Sequence, residues 1–114
     1  MPRNAVAFEA TTPEDRRKPG AYWFMYRYDE ASGDFTDERL GICHACPCGC
    51  GAHGAIWFRG KSLNGQGTHP NHEWDVSGDW PKATLSPSIG FARDRTTGQF
   101  HWHGYLRNGV FEEC

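Results

Sequence analysis

Aliphatic bulk is what this 114-residue chain has least of: Leu, Ile, Val and Phe together fill only 17 positions. A strongly charged chain with so little to bury would stay unfolded, but 12 basic and 14 acidic residues leave a formal charge of −2, and five Trp and four Tyr add large rings that favour burial. A single folded domain with a thin, aromatic-rich core is the expectation. Also missing is any long block of one charge sign, which argues against a general nucleic-acid binder. The densest basic run, Arg16-Arg17-Lys18, is flanked by Glu14 and Asp15 and reads as a solvated turn. No apolar run is long enough to cross a bilayer, and the opening MPRNAVAFEA has no apolar signal segment, so a soluble protein with reduced thiols is expected.

Helix signals are almost absent. Thr12-Pro13-Glu14-Asp15 offers a cap, a first-turn proline and early acids, but Pro19-Gly20 stops it within two turns. Residues 1–20 therefore read as an N-terminal segment with room for one short helix, and residues 21–114 as a β domain. The period elsewhere is mostly two. Residues 21–28 (AYWFMYRY) look like a central strand covered on both faces, followed by a strand ending at Leu40-Gly41-Ile42-Cys43 and a third at residues 55–59; residues 72–76 and 88–92 are shorter candidates. Residues 61–71 are rich in Gly, Asn and Pro and read as a loop.

The sharpest local signal is Asn108-Gly109 between residues 100–107 and 110–114, the pattern of a two-residue hairpin turn. Pairing Arg107 with Val110 sets Leu106 against Phe111, Tyr105 against Glu112 and His103 against Cys114, with facing β-carbons roughly 5 Å apart. Alternation also puts His101, His103 and Tyr105 on one face.

Four of the five cysteines and two of the six histidines fall within Cys43-His44-Ala45-Cys46-Pro47-Cys48-Gly49-Cys50-Gly51-Ala52-His53. Five cysteines cannot all pair internally, and sulfurs two residues apart make strained bridges, so a disulfide framework fits poorly. Pro and Gly let such a knuckle fold back until sulfurs converge on one ion. Soft sulfur and nitrogen donors favour zinc, although iron also fits. Structural zinc can contribute on the order of 10 kcal/mol of apparent folding free energy, a large help to a thin core. The terminal hairpin offers the nitrogen needed to close the shell, with His103 the leading candidate. The expected fold is thus mainly β: a small single-domain antiparallel sheet stapled by a zinc site, with little helix.

The sequence lacks the catalytic motifs of the common zinc enzymes. The deaminase pattern needs His-x-Glu before Pro-Cys-x-x-Cys, and the His-Glu-x-x-His pattern is not completed by His72-Glu73. A surplus of soft ligands would fill every position on the ion, which suits a structural metal. Ser86-Pro87-Ser88 reads as turn chemistry at a strand entrance, and His69 and His72 as solvated side chains on a polar loop rather than a second ion site.

Four motifs in order, Cys46-Pro47-Cys48-Gly49-Cys50-Gly51, Trp74-Asp75 with Gly78-Asp79, Thr84 through Gly90 (TLSPSIG), and His103 through Gly109, resemble an uncharacterised family of small phage and prophage proteins, some labelled ammonia monooxygenase. The resemblance spans most of the chain from about Ala21. It implies a phage context and a bound metal; the expected ligands are Cys46, Cys48, Cys50 and His103. Relatives often carry a cysteine three residues before that histidine, where this chain has Phe100; Cys43, His53, His101 and Cys114 stay as alternative ligands. The functional expectation is a phage-encoded, zinc-stapled module in the host cytoplasm or a virion. It would bind a protein partner, as an inhibitor of a host defence or regulatory protein or as a virion accessory, with Trp57, Trp80 or Trp102 as candidate anchors. The alternatives are a zinc-dependent hydrolase and a nucleic-acid-binding zinc module.

Overall fold

A computed structural model describes residues 3–61, 73–93 and 100–114. Among the described residues ten strands form two sheets whose inner faces enclose the core. In chain order they are β1 (Ala5–Val6), β2 (Phe8–Glu9), β3 (Ala21–Asp29), β4 (Asp34–Ala45), β5 (His53–Phe58), β6 (Glu73–Ser77), β7 (Thr84–Ser86), β8 (Ile89–Arg93), β9 (Phe100–Arg107) and β10 (Val110–Glu113). The smaller sheet runs β1-β10-β9-β8 and the larger β2-β3-β4-β5-β6-β7. The mainly β expectation holds, with the strands divided between two sheets and most neighbours antiparallel. The exceptions are the short parallel pairings of β2 with β3 and of β5 with β6. The described helix is one 3₁₀ turn, Asp15–Arg17.

The N-terminal segment is woven into both sheets. Ala5 and Val6 pair with β10, Phe8 and Glu9 with β3, and the Ala7 amide between them donates to the Gly109 carbonyl at 2.7 Å. Each pairing is only two residues long, and its partner lies far along the chain or across a proline-rich turn, so period two alone could not reveal it. The terminal hairpin closes in the expected register, with Leu106 facing Phe111 and Tyr105 facing Glu112. Asn108 and Gly109 take φ of 48° and 77°, the left-handed pair that such a turn requires.

Rings take the place of the missing aliphatics. Trp102, Tyr22 and Phe111 are among the largest fully buried side chains, and Trp80 contacts both Tyr22 and Phe24 at ring-centroid distances of 4.7 and 5.4 Å. Trp102 is fully buried and cannot be the surface anchor considered from sequence; Trp57 and Trp80 are half-buried. Strand β3 is covered only at its start, because the β3–β4 hairpin runs beyond the core and leaves Tyr28 and Phe35 in edge-to-face contact and exposed.

His44 sits between the sheets, 5.3 Å from the Phe91 ring and 5.5 Å from Phe111. Burial pushes its imidazole down to about 4, so it is neutral in the folded protein.

Close packing of β9 on β10 depends on Gly104. A β-carbon there would lie 2.0 Å from the Glu112 carbonyl oxygen and 2.7 Å from the Trp102 ring. Gly104→Ala should therefore destabilise the protein by about 3 kcal/mol, at the upper end of overpacking costs, measured as a lower denaturation midpoint at unchanged slope.

Candidate active site and metal centre

The knuckle joins β4 to β5 and is shaped by its backbone. Gly49 and Gly51 both take positive φ, near 90°, while the Cys46 amide donates to the Ala52 carbonyl at 2.8 Å and the Gly49 amide to the Cys46 carbonyl at 3.0 Å. This fold-back gathers Cys46, Cys48 and Cys50 with His101 of β9, their candidate ligand atoms all within 4.8 Å of one another. Cys46 Sγ lies 3.3 Å from Cys48 Sγ, which lies 2.9 Å from His101 Nε2. Three sulfurs and one imidazole nitrogen could hold a metal ion, and the donor set is that of a closed structural site.

The imidazole in this group is that of His101, not the expected His103. Both project from the same face of β9, and the knuckle reaches the nearer end of the strand. Cys43 and His53 also lie outside the group: Cys43 is half-buried within β4, and exposed His53 makes an edge contact with Trp23 at 5.1 Å. His69 and His72 fall outside the described residues.

His103 is engaged elsewhere. Its Nε2 is 3.0 Å from Ser88 Oγ, and its Nδ1 is 3.2 Å from Cys114 Sγ. Ser88 immediately precedes β8, and β8 pairs with β9 so that Gly90 faces His103. Serine and histidine, 15 residues apart in sequence, thus meet diagonally across neighbouring strands. The Cys114 thiol donates to the His103 carbonyl oxygen at 3.3 Å, which leaves a sulfur lone pair for the Nδ1 proton. A ring protonated at Nδ1 would present its Nε2 lone pair to the serine hydroxyl. Trp74 adds a fixed point, its indole N–H donating to the Ser88 carbonyl at 3.2 Å.

A serine hydroxyl within hydrogen-bond reach of an imidazole nitrogen is the pairing that serine hydrolases use. A family model described as bacterial ubiquitination-like system serine protease (BubE) matches residues 9–114. The chain belongs to the BubE family. No curated protein and no solved structure matches it. BubE membership overturns the expectation of a phage-encoded binding module that inhibits a host protein: the family is bacterial, and its description names a protease. Of the alternatives weighed from sequence, a hydrolase agrees better with BubE membership. Reading Ser86-Pro87-Ser88 as turn chemistry did not bring Ser88 together with His103, because the two become adjacent only through the β8–β9 pairing.

Burial pushes the Cys46 thiol up to about 12, whereas the Ala52 backbone holds the Cys50 thiol below its ordinary value. A divalent ion binding near neutral pH must displace the Cys46 proton, so metal affinity should rise with pH, and binding should release protons in calorimetry across buffers of different ionisation enthalpy. His101→Ala should abolish stoichiometric metal while His103→Ala retains it, as read by elemental analysis. Chelation should lower the melting temperature by more than about 10 °C.

Proposed function

We propose that this protein is a serine peptidase acting on a protein of a bacterial ubiquitination-like system, with Ser88 as nucleophile and His103 as general base. The observation that carries the reading is the 3.0 Å approach of Ser88 Oγ to His103 Nε2, in a chain of the BubE family. In the first half-reaction Oγ attacks the carbonyl carbon of the scissile amide while its proton passes to Nε2. The resulting imidazolium gives that proton to the leaving nitrogen as the C–N bond breaks, leaving an acyl ester on Ser88. Water, deprotonated by His103, then hydrolyses the ester and restores both side chains.

Cys114 holds the ring in the productive tautomer, the part a carboxylate commonly plays. A sulfur partner stabilises the imidazolium less than a carboxylate would, so Cys114 is a positioning residue more than an electrostatic one.

Zinc is the ion that best suits Cys46, Cys48, Cys50 and His101, and when bound it would supply a structural cross-link between the knuckle and β9. Four protein donors would fill the coordination shell of a bound zinc and leave no position for substrate. That favours serine chemistry over a zinc-dependent hydrolase.

Ser88→Ala should reduce kcat/KM by about 10⁴-fold or more, His103→Ala by a similar factor, and the double variant by no more than either alone, because the two act as a unit. A fluorophosphonate should label Ser88 in the wild type and fail in both variants; turnover that survives Ser88→Ala would overturn the assignment. Cys114→Ala should lower kcat by about tenfold at unchanged KM, a loss of about 1.4 kcal/mol in transition-state stabilisation, and Cys114→Asp should restore it.

A further inference from the structure

Two strand edges face each other beside Ser88. Strand β5 pairs with β4 along His53–Trp57, but with β6 only at Trp57 and Phe58, so among the described residues the edge at residues 53–56 has no strand partner on the side away from β4. Strand β8 likewise pairs only with β9 among the described residues. Between these edges lies a cavity of about 300 Å³ whose walls include Gly54, Ile56, Trp74, Ile89, Phe91 and His44. One end abuts the proposed nucleophile, since Ile89 follows Ser88 directly and Trp74 holds the Ser88 carbonyl.

His44 gives the cavity a buried polar group. The side chain is 1% exposed, and its Nδ1 lies 3.1 Å from the Ala45 carbonyl oxygen, to which it must donate. The other nitrogen, Nε2, is therefore an acceptor. It points towards Gly54, 3.3 Å from where a β-carbon on that residue would sit, and Gly54 has no side chain to screen it.

We infer that this groove seats an extended peptide as an added strand between β8 and β5, carrying its scissile carbonyl to Ser88, with one side chain in the cavity and a donor on the bound segment hydrogen-bonded to His44 Nε2. The inference rests on the peptidase reading above. Strand addition draws its affinity from main-chain hydrogen bonds, which are largely sequence-independent, and its selectivity from pockets for alternate side chains. A cavity of about 300 Å³ lined from both edges suits an extended segment better than a helix or a folded domain. The substrate class is therefore an unstructured tail or linker of a protein, entered as a single strand.

The test uses the full metal-loaded chain and a synthetic library of acetylated, amidated ten-residue peptides, with cleavage read by mass spectrometry. The best-cleaved peptide is resynthesised with one backbone N-methyl group at each position in turn. Strand addition between two edges predicts losses of about tenfold or more in kcat/KM at successive positions on the acyl side, because consecutive amides face β8 and β5 in turn. With the Ser88→Ala protein, the same peptide should slow hydrogen exchange at amides of residues 53–56 and 89–91. His44→Phe keeps a ring of similar shape but loses the acceptor, and should raise KM several-fold at unchanged kcat, metal content and melting temperature. If Ser88-dependent cleavage persists while N-methylation is tolerated at every position and neither edge is protected, the groove is not the substrate seat and the peptidase reading survives. If no peptide is cleaved and the fluorophosphonate does not label Ser88, both readings fall together.

Discussion

Placement of β9 is the constraint on which the rest of the molecule depends. Its outer face carries His101 and His103, two residues and so roughly 7 Å apart, one against the thiols of the knuckle and the other against Ser88. Between them, Trp102 turns inward and is fully buried, with its indole N–H on the Arg3 carbonyl at 2.9 Å. The Arg3 guanidinium donates to the His101 carbonyl at 2.7 Å and pairs with Glu113 of β10. The N-terminal segment therefore clamps the strand that carries both histidines. A shift of β9 by one residue would bury the histidines and expose Trp102, disabling the metal group and the serine pair together.

A thin core tolerates this arrangement because its rings span the gap between the sheets. A Trp or Tyr buries 150–250 Å², more than an aliphatic side chain, so a few well-placed rings replace many leucines. Phe91 and Phe111 from the smaller sheet reach His44 of the larger one, while Trp80, from the turn before β7, closes over Tyr22 and Phe24. An ion held by the knuckle would add a cross-link at the end of the sandwich where β4 passes into β5. Buried Cys46 belongs to the core as well as to the candidate metal group, so the two would share a side chain.

What was legible in the sequence was local. Asn108-Gly109 determined the hairpin register, and with it the meeting of His103 and Cys114, because a two-residue turn leaves one way to pair the flanking strands. The cysteine spacing announced a converging knuckle for the same reason. Illegible were the relations that cross the fold. Strands β1 and β2 are two residues each, and β1 gains its partner from the other end of the chain. The choice between His101 and His103 could not be made from alternation, which puts both on one face; it depends on how far along β9 the knuckle reaches. Ser88 was hidden behind common turn chemistry, and only the pairing of β8 with β9 shows what its hydroxyl faces.

The division of the two histidines also follows from chemistry. An imidazole bound to a metal through one nitrogen has committed the lone pair that a general base needs, so no single histidine can close the metal shell at Nε2 and also take the serine proton there. A chain that uses both functions on one strand needs two histidines at a spacing that keeps them on one face yet out of each other's coordination sphere. An i, i+2 pair on an extended strand satisfies this, because adjacent residues would face opposite sides of the sheet. The sulfur at His103 Nδ1 belongs to Cys114, which lies outside the group of candidate metal ligands. On the proposed reading one cysteine would serve the base while three could hold the ion, so the cysteine-rich composition that first pointed only to a metal would support both halves of the site.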